Sequence, residues 1–162
     1  MRYPTAPMDR ALAATFRLAC ALLAGAQLFF AAVAAQVVFP PEVAALPRTD
    51  PRRALAADLV GGMLARLDAA TLAGCALAVL CAVLLWRRQG SSPRPALFPL
   101  LAGACALASA LGTTPAIQAL RAAGQTAGPQ FGRLHALSSG LLVLELVLLL
   151  VACARAPSAA DR

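Results

Sequence analysis

The sequence contains no lysine, no asparagine and a single histidine, and charged residues make up only 13% of its 162 residues. Soluble domains carry about 25% charged and about 45–50% apolar residues. This chain is instead 60% hydrophobic, with a mean hydropathy of +0.75. The composition excludes an ordinary soluble domain and predicts a membrane protein whose surroundings are the lipid bilayer. All fourteen basic residues are arginine, and the lack of residues with AT-rich codons indicates a bacterial genome of high G+C content.

The basic residues form no continuous stripe, although the net charge is +7. Short arginine clusters separate the apolar runs, as topology signals and contacts with anionic lipid headgroups require. Nucleic-acid binding needs a basic face, so we expect no nucleic-acid partner.

Motifs for metal binding or catalysis are scarce. The five cysteines include no C-x-x-C pair and all lie in apolar runs. We therefore interpret them as small packing residues rather than as a soft-metal site or disulfides. One histidine cannot supply both axial ligands of a haem. No G-x-S-x-G elbow marks a serine hydrolase, and Glu145 lies ~15 Å along the helix from His135. We expect no enzymatic activity, no metal and no cofactor.

Four apolar runs are long enough to cross ~30 Å of hydrocarbon as helices. The first run exceeds the ~7–15 residues of a signal-peptide core, so we interpret it as a span, although Ala32-Val33-Ala34 resembles a cleavage site. Pro40 and Pro41 end this run. The fold class predicted is all-α, a four-helix transmembrane bundle over residues 11–153, with a disordered tail at 1–10 and a second tail at 154–162. The predicted spans are 11–39, 69–86, 96–111 and 134–153.

The connection between the first two spans is predicted to be an amphipathic helix. Asp50-Pro51 is typical of an N-cap followed by proline at the first helical position. Apolar residues from Leu55 to Leu67 then recur at helical spacing. The segment either lies at the membrane interface as a separate helix or extends the second span, and the sequence leaves both options open.

Four spans place both termini on one face of the membrane, together with the loop at 87–95. More arginines fall on that face than on the other, and those nearest to helix ends also favour it. The positive-inside rule then predicts an inner-membrane, multi-pass protein with both termini in the cytoplasm.

Polar residues of the first and last spans fall at matching depths. If Arg17 and Arg155 mark the same interface, Gln27 and Glu145 each lie ten residues above it, or ~15 Å. An ionised carboxylate in hydrocarbon costs about 2–3 kcal/mol or more on insertion. Glu145 should therefore face the bundle interior and be either paired or protonated. We predict that the first and fourth helices pack together through Gln27 and Glu145.

A second pair is predicted nearer the opposite mouth, where Gln36 is level with His135 and Ser139. The resulting polar network is interpreted in two ways. It is either a proton path, an ion path or a polar ligand pocket, or it is a hydrogen-bonded contact that joins the helices.

Several short motifs, spread over residues 15–153, resemble the transmembrane-protein-205-like family. They are Phe29-Phe30, Val38-Phe39-Pro40, Gly61-Gly62-Met63-Leu64, Thr114-Pro115-Ala116-Ile117 with Leu120-Arg121, and Phe131-Gly132-Arg133-Leu134-His135-Ala136-Leu137-Ser138. The resemblance implies a four-span membrane protein of bacteria and eukaryotes with no established enzymatic activity. Its eukaryotic relatives are linked with metal-drug export, which suggests transport.

The resemblance also implies a set of signature residues. These are Thr114, Pro115, Arg121, Phe131, His135 and Ser138. We expect Pro115 to kink or end the third helix, and Arg121 to meet His135 at one face of the bundle. The family pattern has a polar residue about one turn after the serine, where this chain has Leu142, and Glu145 is peculiar to this chain.

Three functions remain open at this stage. The first is a non-catalytic scaffold or small transport component, which self-associates through its Ala, Gly and Ser faces as a homo-oligomer. The second is a proton- or metal-linked transporter that uses Glu145 and His135. The third is a membrane haem or redox protein.

Overall fold

The described residues of the computed structural model, 7–47, 49–90 and 92–156, are almost entirely helical and contain no strand. Four of the helices are long and apolar enough to cross a membrane. The prediction of an all-α bundle of four such helices is confirmed. The helices are α1 (Pro7–Val38), the short α2 (Pro41–Ala44), α3 (Pro51–Gln89), α4 (Arg94–Ala122) and α5 (Pro129–Ala154).

Every spanning helix extends beyond its predicted apolar run. Helix α1 begins at Pro7, so residues 7–10 are helical and the predicted disordered tail is wrong for them. Residues 1–6 and 157–162 of the two predicted tails lie outside the described part of the chain. Proline fits at a helix start because the first N–H groups have no helical acceptor. The predicted bounds followed the apolar composition, which identifies the segments suited to hydrocarbon. The helices themselves continue into polar sequence until a cap or a proline ends them.

Helix α3 settles the question of the amphipathic segment, because it is continuous over 39 residues. Asp50 caps its start by accepting a hydrogen bond from the Arg52 N–H at 2.9 Å, and Gly90, with φ of 61°, ends it in the left-handed conformation. The segment after Asp50 therefore extends the second span and is not a separate interfacial helix. Arg53 donates to the carbonyl of Leu46 and ties the connection to this helix.

Two π-helical turns interrupt the regular hydrogen bonding. They lie at Phe30–Ala34 in α1 and at Ser109–Thr113 in α4. Pro115 follows the second turn closely, and the helix runs on to Ala122. Of the two expected effects of Pro115, a kink or an end of the third helix, the end is wrong. The π turn changes the backbone hydrogen bonding just where proline lacks its N–H. The chain therefore stays helical on both sides of Pro115.

Each spanning helix packs against the next one in sequence, and α5 closes the ring against α1. The predicted contact between the first and last spans is confirmed. Only 22% to 33% of the residues in each spanning window are buried, and large apolar side chains such as Leu22, Leu100 and Val143 face outward. This is the arrangement that a lipid environment requires, since those side chains would otherwise contact water. Cys20, Cys75 and Cys81 lie in the apolar core as unbonded thiols, so for them the prediction of packing residues is confirmed.

Candidate functional site

Three helices bring polar side chains together in the middle of the bundle, and we call Gln27, Thr71 and Glu145 the central cluster. Gln27 Nε2 donates a hydrogen bond to Glu145 Oε2 at 2.8 Å and a longer one to Thr71 Oγ1 at 3.4 Å. Gln27 and Glu145 are each 1% exposed, and Thr71 is fully buried. The predicted contact of Gln27 with Glu145 is therefore confirmed, and α3 supplies a third member that the sequence did not indicate.

A second buried carboxyl lies close to the central cluster. Asp68, on α3, is 1% exposed and accepts a hydrogen bond from Ser109 Oγ on α4 at 2.9 Å. Ser109 Oγ is also 3.5 Å from Thr114 Oγ1. The predicted second span, 69–86, left Asp68 just outside its start, whereas the structure places this side chain in the bundle interior. All four spanning helices thus contribute a polar side chain to the interior.

A periodic signal in α3 marks Asp68 as an inward-facing residue. All but one of the buried positions that follow it, Cys81 being the exception, fall on one series: Thr71, Cys75, Ala78, Ala82 and Leu85. This spacing of three and four residues is that of one helix face. Asp68 continues the same face by one turn toward the helix start. A search for small residues that recur every three or four positions therefore identifies Asp68 as buried, whereas a search for runs without charge does not.

The two buried carboxyls have no cationic partner in the part of the chain that the structure describes. Asp68 is the acidic neighbour of Glu145, and the nearby Cys75 and Cys105 carry neutral thiols. Within the described residues no salt bridge involves Glu145 or Asp68, and the partners of both carboxyls are neutral donors. A bare carboxylate in this environment is costly. Each carboxyl therefore favours a bound proton or a bound cation.

The amide of Gln27 leaves one of its hydrogen-bonding atoms unused. Its Oε1 atom is buried and has no hydrogen-bond partner among the described residues. Its Nε2 atom makes both contacts of the central cluster. A buried acceptor without a partner calls for an explanation, such as a water, an ion or local strain. The atom of Gln27 that contacts the carboxyl and the hydroxyl is the amide nitrogen and not the oxygen.

The predicted second pair does not form. Gln36 and His135 are both exposed, and the interior-facing serine of this region is Ser138 rather than Ser139. His135 stacks on the ring of Phe131, with centroids 6.3 Å apart and an interplanar angle of 5°. These positions correct the prediction that Gln36 meets His135 or Ser139.

The remaining signature residues gather at the end of the bundle away from the termini. Arg121 donates to the carbonyl of Ala57 at 2.9 Å, and its guanidinium lies 5.9 Å from the centroid of the Phe131 ring. Arg121 therefore meets Phe131 and α3 rather than His135, contrary to expectation. Thr114 is half-buried, whereas Pro115 is exposed.

A shallow groove of about 290 Å³ lies on the surface between α1 and α3. It is apolar apart from Arg66 and does not include the central cluster. Its lining residues are Phe29, Phe30, Ala34, Met63, Arg66 and Leu67.

Four apolar helices around buried carboxyls are consistent with a multi-pass integral membrane protein. No protein-family model, no curated protein and no solved structure matches the chain. The similarity to the transmembrane-protein-205-like family thus remains a prediction from its short motifs.

Proposed function

We propose that the protein is a non-catalytic transport component of the inner membrane in which Glu145 takes up and releases a proton. One observation carries this proposal. The Glu145 carboxyl is 1% exposed inside a membrane helix, and its hydrogen-bond partner is a neutral amide. A carboxyl in that position changes its charge when a proton binds, and such groups mark proton relays in membrane proteins.

A purely structural contact would not need a carboxylic acid. Glutamine, asparagine or serine side chains join membrane helices by hydrogen bonds without the cost of burying a charge. Here Asp68 adds a second buried acid within electrostatic reach of Glu145. Two acids with only neutral partners favour proton exchange over helix joining. His135 is exposed and plays no part in the proposed path, so Asp68 takes the place that the sequence had suggested for His135.

The proposed orientation has both termini in the cytoplasm. Trp86, Arg87 and Arg88 end α3 on the side of the termini, and Arg88 forms an ion pair with Asp9 at 2.8 Å. Tryptophan is typical of either membrane interface, and the arginines next to it favour the cytoplasmic side. The bundle geometry and the arginine distribution together support this orientation.

The experiment is an infrared titration of the purified chain in lipid, which observes the C=O band of protonated carboxyl groups. We expect a component that appears and disappears as the pH is changed and is missing in Glu145→Gln. Asp58→Asn, which changes an exposed carboxyl on α3, should leave that component unchanged. Proton flux into proteoliposomes under an imposed gradient should likewise fall in Glu145→Gln and persist in Asp58→Asn. A Glu145 band that does not respond to pH would overturn the proposal.

A further inference from the structure

We propose that the central cluster also binds a small hard monovalent cation, of the chemistry of sodium, in competition with the proton on Glu145. This inference rests on the proposed function, because it concerns the same carboxyl. It also rests on the set of oxygen-bearing side chains that meets there and on the amide of Gln27, whose Nε2 faces Glu145 and Thr71. Oε1 of Gln27 has no partner among the described residues, so rotation of the amide breaks no hydrogen bond of that oxygen.

The side chains of the central cluster carry the donors that a hard cation prefers. Carboxylate, hydroxyl and amide oxygens are the ligands of hard cations in proteins, whereas thiols and imidazoles suit softer metals. Among the described residues, no three His, Cys, Asp or Glu side chains converge on a point. The site is thus built from one carboxylate and neutral oxygens.

Rotation of the Gln27 amide about its Cγ–Cδ bond converts the cluster into an oxygen site. The rotation exchanges Oε1 and Nε2, which have nearly the same shape. Oε1 then occupies the position of Nε2, 2.8 Å from Glu145 Oε2 and 3.4 Å from Thr71 Oγ1. Oxygens roughly 3 Å apart are suitable neighbours around a cation whose bonds to oxygen measure about 2.3–2.6 Å.

The orientation of the amide depends on what Glu145 binds. With a bare carboxylate, Nε2 faces Glu145 and donates to it. With a protonated carboxyl or a bound cation, Oε1 facing inward is favoured, because it accepts the O–H hydrogen bond or coordinates the ion. Either orientation leaves one amide atom without a partner, so neither is locked. When the cation binds to the protonated site, the proton leaves Glu145 and the charge of the site is unchanged.

The charge of the site selects a monovalent ion. One cation neutralises the single carboxylate of Glu145, whereas a divalent ion would leave an excess positive charge among apolar helices. The groups that interact electrostatically with Glu145 are Asp68, Cys75 and Cys105, none of which is cationic. The second acid, Asp68, is engaged by Ser109 on the neighbouring helix.

The test measures how fast a carbodiimide, which reacts with protonated carboxyl groups, modifies Glu145 in the full-length chain. Modification is followed by mass spectrometry, in sodium chloride or in choline chloride of equal ionic strength. We expect the reaction to slow about tenfold when sodium exceeds its Kd about tenfold, because the two cations compete for one site. The protection should weaken as the pH falls.

Matched variants locate the effect. Gln27→Ala and Thr71→Val should lose the protection by sodium but keep the pH dependence of the reaction. Gln36→Ala, which changes an exposed glutamine on the same helix, should keep both. A pH-dependent reaction that sodium does not slow overturns the cation site and leaves the proposed function standing. Protection that persists in both Gln27→Ala and Thr71→Val overturns the assigned ligands, whereas a reaction independent of pH overturns the proposed function itself.

Discussion

At the level of single residues, the hydrogen bond from Gln27 to Glu145 determines how the first and last helices meet. Each side chain alone would be a buried polar group without a partner, which costs about 1–3 kcal/mol. Together they satisfy one another across 118 positions of the sequence. The hydrogen bond therefore stabilises the bundle, because breaking it would leave two buried polar groups without partners.

A double-mutant cycle measures this coupling. We expect Gln27→Leu and Glu145→Leu each to destabilise the protein, because each leaves its partner buried and unsatisfied. The double variant should be more stable than Gln27→Leu alone, with a coupling energy of about 1–2 kcal/mol. Reversible unfolding in lipid–detergent micelles, followed by Trp86 fluorescence, gives the values. Gln36→Leu combined with Glu145→Leu should be additive within about 0.5 kcal/mol. Additive effects for Gln27 and Glu145 would show that their contact contributes nothing.

The depth of a polar residue could be predicted from the sequence by counting the helical rise. The helix face on which it lies also depends on the rotation per residue. Counting the helical rise placed Gln27 level with Glu145, as the structure has it. The same count placed Gln36 level with His135 and ignored rotation. At about 100° per residue, His135 lies about 80° from the face of Glu145. Ser138 lies within about 20° of that face and is buried. The π turn at Phe30–Ala34 changes the phase of Gln36 relative to Gln27.

At the level of helices, the start of α3 depends on one exposed side chain. The Arg52 side chain, which donates hydrogen bonds to Asp50, and the Arg52 N–H lower the pKa of the Asp50 carboxyl. A lowered pKa in the folded chain means that the ionised cap contributes stability above the ordinary aspartate pKa of ~3.9. That contribution is lost as the pH falls through the lowered folded value.

We expect Asp50→Ala to fray the first turn of α3. Amide hydrogen exchange should show a several-fold loss of protection at Arg52 to Ala54, because the N-terminal amides lose their acceptor. Asp50→Asn keeps an acceptor oxygen and should retain most of the protection, but without its dependence on acidic pH. Equal protection in wild type and Asp50→Ala would show that the cap does not hold the turn.

Two glycines of α3 allow a comparison of close packing with helix propensity. A Cβ atom at Gly74 would lie 2.7 Å from a terminal methyl of Leu23 and 3.1 Å from its Cγ, whereas a Cβ at Gly62 meets nothing within 4 Å. We expect Gly74→Ala to destabilise the contact of α1 with α3 by about 1–3 kcal/mol, through overpacking. Gly62→Ala should stabilise the chain by about 0.5–1 kcal/mol. Thermal unfolding in detergent compares the two, and a stabilising Gly74→Ala would contradict the close approach.

Helix boundaries and irregular turns were the least predictable features at this level. Hydropathy located the apolar centre of each span but gave no information about the polar ends, which caps and prolines determine. The π turn at Ser109–Thr113 has no local composition that distinguishes it. It lies just before Pro115 in the segment where Ser109 donates to Asp68, and this second condition depends on the packing of two helices.

At the level of the whole molecule, the bundle interior has two unlike halves. From the central cluster toward the termini, the described buried residues are apolar except for Asp9, which is paired with Arg88 at the end of the bundle, and they include Phe16, Leu85 and Leu149. From the cluster toward the opposite side, four of the buried residues are polar. They are Asp68, Ser109, Thr113 and Ser138. The division arises because α3, α4 and α5 each have buried polar positions beyond the central cluster on the side away from the termini.

The division predicts that protons reach Glu145 from the side away from the termini. Polar side chains can lead water and protons inward, whereas a close-packed apolar half excludes both. In proteoliposomes of known orientation, carbodiimide modification of Glu145 should therefore follow the pH on that side alone. A response to the pH on the side of the termini would contradict this reading of the interior.

A single substitution in the apolar half should change which side controls Glu145. Leu149 lies one turn beyond Glu145 and is fully buried, whereas its neighbour Leu150 is 52% exposed toward lipid. We expect Leu149→Ser to make modification of Glu145 respond to the pH on both sides, because the seal nearest to the carboxyl then admits water. Leu150→Ser introduces the same hydroxyl on the outer surface and should behave as wild type. If Leu149→Ser also behaves as wild type, the seal does not depend on this layer, and Phe16 and Leu85 become the residues to change.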